Sequence, residues 1–252
     1  MRHVEHVMGT VVSFDVRFAP ALPEMPWVAL ARARAALRRA DAVFSTWKEN
    51  SPMSCLRRGE LELSEAPEVV RDVLELCAEA RRWSGGWFDP WAMPGGVDPT
   101  GLVKGWAAQK ALGELVAAGV SGALVNAAGD IASHGGPEPG TAWRVGVQDP
   151  FAADRLACVV ELTGAIATSG TYERGAHLVD PHTGRPAARL ASASVCGPDL
   201  ALADAMATAL MVAGEGGVDL LADLPGYEAY LIRLDGSVRP TSGFPIVAGA
   251  GT

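Results

Sequence analysis

The 252-residue chain lacks several features that would assign it to a common protein class. No apolar run reaches the roughly 18 residues that a membrane-spanning helix needs. The four cysteines are far apart and form no CxxC pair, so the sequence indicates neither a zinc site nor a disulfide framework. Buried free thiols are the better interpretation of these residues. They are Cys55, Cys77, Cys158 and Cys196.

Basic residues are also fewer than acidic ones, with 21 Lys and Arg against 29 Asp and Glu, which gives a net charge of −8. This balance argues against nucleic acid or an acidic membrane surface as the main partner, because both carry negative charge. Four arginines follow Trp27 on a predicted helix, and we interpret them as a solvated face. The balance still allows a local basic pocket for a phosphate. The arginines are Arg32, Arg34, Arg38 and Arg39.

The common short signatures of nucleotide-binding and hydrolytic enzymes are absent. There is no GxxxxGK[ST], no GxGxxG after a strand, no GxSxG and no HExxH. The first residues, MRHVEHVMGTVVSFDV, contain neither the unbroken apolar region nor the cleavage site of a signal peptide, and no lipidation cysteine. From these absences we expect a cytoplasmic protein.

The residues that are present suit a globular protein, being 49% hydrophobic and 20% charged. Apolar periodicity predicts four helices, and alternating polarity predicts short strands in clusters between them. The clusters do not follow a regular strand–helix–strand order, so we predict an α+β fold with mainly antiparallel sheets. No low-complexity linker divides the chain, and we expect a single domain over residues 1–252. The first predicted helix begins near Trp27. The other three span Glu68 to Trp83, Leu102 to Ala118, and about Pro198 to Gly214.

Two polar residues lie four positions apart on the last predicted helix, in the stretch ADAMATAL (203–210). Asp204 and Thr208 therefore share one helix face. A carboxylate and a hydroxyl in this arrangement suit a hard cation such as Mg²⁺. The alternative is that Asp204 lies near the helix start and complements the helix dipole.

The stretch DPTGLVKGW (98–106) places several polar and small residues at the start of the third helix. Loop amides and the positive end of a helix form an anion site, and Lys104 adds charge. The alternative is an N-cap by Thr100 and a surface lysine. The stretch VNAAGDI (125–131) resembles a turn between strands, with Gly129 allowing close approach.

Two further stretches carry an aromatic ring and histidines. Trp47 lies in a polar loop after the first helix, where it could stack on a base or pack as a core residue. HLVDPHTGRP (177–186) is predicted to be a strand, His177 to Val179, followed by a turn. His177 and Asp180 could be a base with a metal or hydrogen-bond partner, although a histidine can also be structural.

Taken together and in this order, these stretches resemble the ApbE family, the FAD:protein FMN transferases. The resemblance runs from Met8 to about Gly214, which is most of the chain. The matching stretches are MGT (8–10), FSTW (44–47), FDP (88–90), DPTGLVKGWA (98–107), NAAGDI (126–131), ATSGTYER (167–174), HLVDPHTGRP (177–186) and ADAMATAL (203–210).

The resemblance implies a tandem pair of T-fold-like α+β units and a role for each matching residue. Asp204, Thr208 and the backbone carbonyl of Gly101 would be Mg²⁺ ligands, and His177 would be the catalytic base. The residues implied to surround FAD are Met8, Gly9, Trp47, Asp98, Lys104, Asp130, Ser169 and Gly170.

The chain departs from the family pattern in four respects. Trp47 replaces a frequent tyrosine, and Ala128 replaces a frequent glycine, which makes approach to that backbone more crowded. The link FDPWAMPGGVD is shorter than in many members. Many members are exported lipoproteins, whereas no export signal is visible here.

The implied reaction is Mg²⁺-dependent transfer of FMN from FAD to a Thr or Ser hydroxyl of an acceptor flavoprotein, with release of AMP. The acceptor would carry a short Ser/Thr flavinylation motif, and no nucleic acid would take part. Two alternatives remain open: an FAD pyrophosphatase that yields FMN and AMP, and an FAD-binding protein without turnover.

Overall fold

The computed structural model describes residues 1–18, 25–171 and 178–247. The chain begins with an antiparallel hairpin of β1 (Arg2–Val7) and β2 (Thr10–Arg17). Met8 and Gly9 form its two-residue turn, with φ of 54° and 68°. Two left-handed residues in succession give the turn whose twist matches the flanking strands. The alternating polarity of residues 3–18 predicts a single half-buried strand, whereas the structure has two strands with a turn at Met8 and Gly9.

Five α-helices are described, and four of them confirm the sequence prediction to within about two residues at each end. They are α1 (Pro26–Phe44), α2 (Pro52–Arg57), α3 (Glu68–Trp83), α4 (Thr100–Ala117) and α5 (Leu200–Ala213). The short helix α2 was not predicted. Its start has an N-cap, since Ser51 Oγ accepts a hydrogen bond from Ser54 N at 3.0 Å, and a proline at its first position.

The predicted inward faces are correct in part. The helical periodicity places Trp27 on the apolar face of α1, and Leu76 and Trp83 on that of α3, but Trp27 and Trp83 are 60% and 41% exposed. Each lies at the end of its helix, beyond the part that packs on the core. Leu76 is exposed as well, because the buried face of α3 is turned by one residue. That face consists of Val70, Val73, Leu74, Cys77 and Ala80.

Eight strands form one antiparallel sheet in the order β1-β2-β3-β4-β7-β10-β11-β12. Two antiparallel pairs, β5–β6 and β8–β9, are separate from it. The predicted α+β fold with mainly antiparallel sheets is confirmed. The remaining strands are β3 (Gly122–Ala127), β4 (Asp130–Gly135), β5 (Trp143–Asp149), β6 (Ala152–Leu162), β7 (Ala165–Gly170), β8 (Val179–Asp180), β9 (Arg185–Pro186), β10 (Ser192–Gly197), β11 (Glu228–Ile232) and β12 (Val238–Pro240).

The two faces of the large sheet pack on different layers. Alternate residues of a strand point to opposite faces. In β7, Ala165 and Ala167 join the core beneath the helices, whereas Ile166 joins a second core with the β5–β6 hairpin. Trp143 and Val160 are the hairpin residues at the centre of that second core. The sheet is therefore covered by helices on one face and by the hairpin on the other.

A close contact between α4 and α5 positions the polar residues described below. A Cβ atom at Gly105 would lie 2.5 Å from the carbonyl oxygen of Leu200 and 3.1 Å from Asp204 Cβ. Only glycine permits this approach of the two helices. As a result, Asp204 faces the backbone of α4.

The four cysteines are free, and three of them are buried, with Cys55 half-buried. Burial raises the pKa of Cys77 and Cys196 to about 12 and that of Cys158 to about 11. These three thiols are inert near neutral pH. No helix within the described ranges has the length and apolar character needed to cross a bilayer.

Candidate active site

Asp204 is a buried acid in the middle of the contact between α5 and α4. Its Oδ2 accepts a hydrogen bond from the backbone N–H of Gly105 at 3.0 Å. The N-cap of α5 is Asp199, whose side chain accepts from Leu202 N at 3.0 Å. Asp204 therefore lies inside the helix, and the interpretation that it complements the dipole at the helix start is wrong.

Asp130 and Lys104 form an ion pair beside Asp204. Lys104 Nζ lies 2.7 Å from Asp130 Oδ2, and Asp130 Oδ1 accepts from the backbone N–H of Thr168 at 3.3 Å. Asp130 is fully buried as the first residue of β4. The interpretation of Lys104 as a surface lysine is wrong, because its charge is directed into the protein.

The environment of Asp204 disfavours its charged form. Burial raises the pKa of Asp204 well above its usual value, and the negative charge of Asp130 raises it further. Lys104 and the Gly105 amide oppose this shift without cancelling it. Two carboxyl groups thus share one ammonium, and a further cation near them would be stabilised.

Thr208 lies one turn along α5 from Asp204 and meets two other predicted site residues. Its Oγ1 is 3.3 Å from Ser169 Oγ at the end of β7. A Cβ atom at Gly101 would lie 3.7 Å from Thr208 Oγ1 and 3.2 Å from the ring of Phe88. The ATSG, FDP, DPTG and ADAMATAL stretches therefore converge on one location. Gly170 follows Ser169 and pairs with Ser192 of β10.

An open cavity of about 710 Å³ adjoins the Lys104–Asp130 ion pair, since Lys104 is one of its lining residues. The β1–β2 turn contributes Gly9, and the β3–β4 turn contributes Ala128 and Gly129. Lys104 and Thr168 also line it. The remaining lining residues are Thr10, Asn126, Ile131, Gly146, Val147, Gln148, Ala153 and Leu156.

The β3–β4 connection is the turn that the sequence predicted. Asn126 Oδ1 accepts from the Gly129 N–H at 2.8 Å, and Ala128 has a φ of 51°. A non-glycine residue in this left-handed region is strained. The alanine that departs from the family pattern thus lies in a turn that favours glycine.

Asp98 positions the start of α4. Its Oδ1 accepts from Thr100 N at 3.0 Å, and its Oδ2 lies 2.9 Å from Arg57 Nη1. The predicted N-cap by Thr100 is wrong, since the cap residue is Pro99 and no side chain caps it. Arg57, which sequence reasoning missed, also donates to the carbonyl oxygens of Val97 and Pro94 at 3.1 and 3.0 Å.

The polar turn after the predicted strand is built around Asp180. Its carboxylate accepts from His182 N at 2.9 Å, and its Oδ2 lies 3.5 Å from Arg189 Nη2. Burial raises the pKa of Asp180, but the hydrogen bonds and charge of His182 and the charge of Arg189 outweigh it, so the pKa is lowered. The His182 ring lies edge-on to Trp87, with centroids 4.4 Å apart, and Arg189 lies over the same indole at 5.1 Å.

Of the remaining predicted site residues, the structure describes Trp47 and Met8. His177 lies outside the described residues. Trp47 is 93% exposed in the loop after α1, so the alternative that it packs in the core is wrong. Met8 is half-buried in the β1–β2 turn, next to Gly9 of the cavity wall.

The polar groups of the site suit an oxygen-ligated cation. Within the described ranges, no group of three or more His, Cys, Asp or Glu side chains is placed to hold a metal ion. The candidate donors are instead one carboxylate, one hydroxyl and one backbone carbonyl, from Asp204, Thr208 and Gly101. Such oxygen donors suit Mg²⁺ with retained waters and do not suit zinc.

Comparison with known proteins identifies the family. The sequence model of the ApbE family matches residues 8–96 and 92–231. The chain belongs to the ApbE family. The match covers every stretch on which the resemblance was based.

Curated relatives carry a common name. A Rhodobacter capsulatus protein named "FAD:protein FMN transferase" is 39% identical over 157 residues, which are 58% of this chain and 29% of that protein. An Escherichia coli K12 protein of the same name is 33% identical over 151 residues, 56% of this chain and 43% of that protein. The matched regions thus span less than half the length of these relatives.

Solved structures show the same fold. The flavin transferase ApbE from Vibrio cholerae superimposes with a TM-score of 0.84 at 20% identity, covering 97% of both chains. The Thermotoga maritima ApbE protein gives a TM-score of 0.83 at 21% identity, covering 96% of this chain and 97% of that one. At these identities the superpositions establish the fold alone.

Proposed function

We propose that this ApbE-family protein is an FAD:protein FMN transferase that transfers FMN from FAD to a Ser or Thr hydroxyl of an acceptor protein. The hydroxyl oxygen bonds to the phosphorus of the FMN half, the bond from that phosphorus to the bridging oxygen breaks, and AMP leaves. The proton of the hydroxyl passes to His177. The product is FMN in phosphoester linkage to the acceptor.

The observation that carries this proposal is the buried pair of acids, Asp204 and Asp130, beside Lys104 at the edge of a cavity. The cavity has a volume of about 710 Å³, which is within the range of protein sites for small molecules and cofactors. Lys104 lines the cavity, where its ammonium can donate hydrogen bonds to a pyrophosphate while it is paired with Asp130. Relatives named for this reaction support the choice of FAD as substrate.

The residues around Asp204 fit Mg²⁺. In a regular α-helix the Gly105 N–H pairs with the Gly101 carbonyl, four residues earlier. Here that N–H donates to Asp204, so any bond that it makes to the Gly101 carbonyl is shared. This carbonyl is thereby available as a ligand together with Asp204 and Thr208. Bound Mg²⁺ would neutralise charge on the pyrophosphate.

The other residues orient and hold the reactants. The Gly9 and Gly129 turns bring backbone close to the cavity, where side chains would crowd a ligand. Asp98 and Arg57 fix the loop that leads into Gly101. Exposed Trp47 offers a ring for stacking against a heterocycle. Its exposure suits a residue that becomes covered only when ligand binds.

The acceptor and the compartment stay predictions from the sequence. The acceptor is a protein with a Ser/Thr flavinylation motif, and a cytoplasmic location would require its hydroxyl to face the cytoplasm. Co-expression with candidate FMN-binding proteins from the same source, followed by mass spectrometry, tests the acceptor.

AMP release separates transfer from hydrolysis. The protein is incubated with FAD and Mg²⁺, with and without an acceptor, and AMP is measured. Transfer predicts AMP only with acceptor, in amounts equal to the FMN attached to it. Equal AMP without acceptor would identify a pyrophosphatase, and intact FAD under both conditions would identify a binding protein without turnover.

A further inference from the structure

The β5–β6 hairpin supplies one wall of the cavity through residues outside every family stretch described above. Gly146 and Gln148 are two apart on β5 and therefore point to the same face. Both line the cavity, as does Leu156 on β6. A Cβ atom at Gly146 would lie 2.7 Å from the Leu156 methyl groups, so the absence of a side chain lets Leu156 lie over the strand.

An irregularity in the hairpin occurs at Gln148. Val147 pairs with Cys158, Gln148 with Leu156 and Asp149 with Ala152, so β6 has extra residues on both sides of the Gln148 pair. Bulges of this kind re-aim side chains and are frequent next to active sites. The ladder is thus disrupted at the residue that faces the cavity.

The amide of Gln148 has hydrogen-bonding capacity left over. Its Nε2 donates to the Ala153 carbonyl in a long bond of 3.4 Å. A glutamine amide offers two N–H donors and a carbonyl oxygen with two lone pairs. One long bond leaves a donor and the acceptor for a ligand.

The hairpin residues differ in chemistry from other residues that line the cavity. Lys104 and the turn backbones suit the charged phosphates. Gln148 is neutral and lies with Leu156 and Ile131, which present apolar surface. Apolar surface beside a donor–acceptor pair suits a flat heterocycle with a hydrogen-bonding edge.

We infer that the Gln148 amide hydrogen-bonds the edge of a heterocyclic ring of FAD and is a specificity-determining residue. This inference rests on the proposed function only in taking FAD as the ligand. Adenine and isoalloxazine both present adjacent donor and acceptor atoms, and both are flat. Comparing the binding of the two halves of FAD therefore shows which of the two rings Gln148 contacts.

Binding of FAD, FMN and ADP is measured for the wild type, Gln148→Leu and Gln148→Glu, with flavin fluorescence for FAD and FMN and competition for ADP. Gln148→Leu keeps a similar size and removes the hydrogen bonds. We expect its FAD affinity to fall by about 5- to 30-fold, as loss of a ligand hydrogen bond predicts. Gln148→Glu, which can only accept when ionised, should also bind more weakly.

The two halves identify the ring. A matching loss for ADP alone assigns the contact to adenine, and a matching loss for FMN alone assigns it to isoalloxazine. The matched control is Arg144→Gln on the same face of β5, where Arg144 pairs with Glu161 outside the cavity lining; it should bind all three probes as the wild type does.

Wild-type FAD affinity in folded Gln148→Leu, checked by thermal unfolding, would overturn the inference. AMP release by the wild type with and without acceptor is measured separately, and only acceptor-dependent release supports the proposed function. A protein that binds FAD through Gln148 but releases no AMP would keep this site and reject the transferase. A wild type that releases AMP only with acceptor, together with an unchanged FAD affinity in Gln148→Leu, would support the transferase and reject this site.

Discussion

Lys104 Nζ lies 2.7 Å from Asp130 Oδ2. This ion pair connects the first part of α4 to the first residue of β4. Asp130 is fully buried, and Asp204 lies beside it. This ammonium is therefore the cation that makes two neighbouring buried acids tolerable before any ligand binds.

Replacing Lys104 should be costly. Lys104→Met leaves Asp130 without its cation, and removal of one partner of a buried pair typically costs about 3–5 kcal/mol. We expect a loss near the lower end of that range, because Lys104 is partly exposed. Urea unfolding measures it. In the double variant Lys104→Met/Asp130→Asn much of the loss should be recovered, and simple additivity of the two losses would contradict a direct coupling.

The β3–β4 turn offers a stabilising substitution. Ala128 has a φ of 51°, where glycine has no steric penalty. Ala128→Gly should raise the free energy of unfolding by about 0.5–1 kcal/mol, with the lower value reflecting the greater entropy of an unfolded glycine. Gly129→Ala, with a φ of 95° in the same turn, serves as the opposite control and should destabilise. A less stable Ala128→Gly variant would show that the turn is not strained.

The hairpin of β1 and β2 gives a pH prediction. Burial raises the pKa of Glu5, but hydrogen bonds from Arg34, Arg38 and His3 outweigh it, and the pKa falls to about 2. A lowered pKa contributes stability above the unfolded value of 4.5, and this is lost as pH falls from there towards 2. We estimate roughly 1–2 kcal/mol, because both arginines are partly solvated. Glu5→Gln should remove this part of the acid dependence, and an unchanged slope between pH 5 and 2 would contradict it.

The sequence predicted most of the helices and strands because their apolar periodicities are strong. It missed β4, whose residues DIASHG include a glycine, a histidine and little β-branched character. That strand forms because β3 and β7 pair with its two edges. A pairing of this kind depends on the assembled sheet and leaves no local signal.

The sequence predicted individual residues of the candidate site, but it did not predict which of them contact one another. Asp204 and Thr208 follow from helical spacing, and their proximity to Ser169 requires α5 to pack on β7. The partnership of Lys104 with Asp130 joins positions on different elements, and no spacing rule connects them. Arg57 was missed because most of its hydrogen-bond acceptors are backbone carbonyl oxygens, which every residue provides.

His177 is predicted to act on the acceptor hydroxyl. His177→Ala should lower turnover by about 10²- to 10⁴-fold, the usual contribution of a general base, with FAD affinity nearly unchanged. Single-turnover AMP release on the folded fraction measures turnover, and fluorescence titration measures the FAD affinity. His134→Ala, an exposed histidine at the end of β4, is the control and should behave as wild type. Wild-type turnover in His177→Ala would make the residue structural.

The central claim is that Asp204 serves metal-dependent transfer of FMN from FAD to a protein hydroxyl. The most direct measurement is mass spectrometry of an acceptor co-expressed with the wild type, Asp204→Asn or Asp199→Asn. Asp199 is the N-cap of the same helix, where asparagine caps equally well, so its variant controls for folding. The account predicts an added FMN with the wild type and Asp199→Asn, and a loss of several orders of magnitude with Asp204→Asn. Full flavinylation by Asp204→Asn, or AMP release without any FMN on the acceptor, would contradict it.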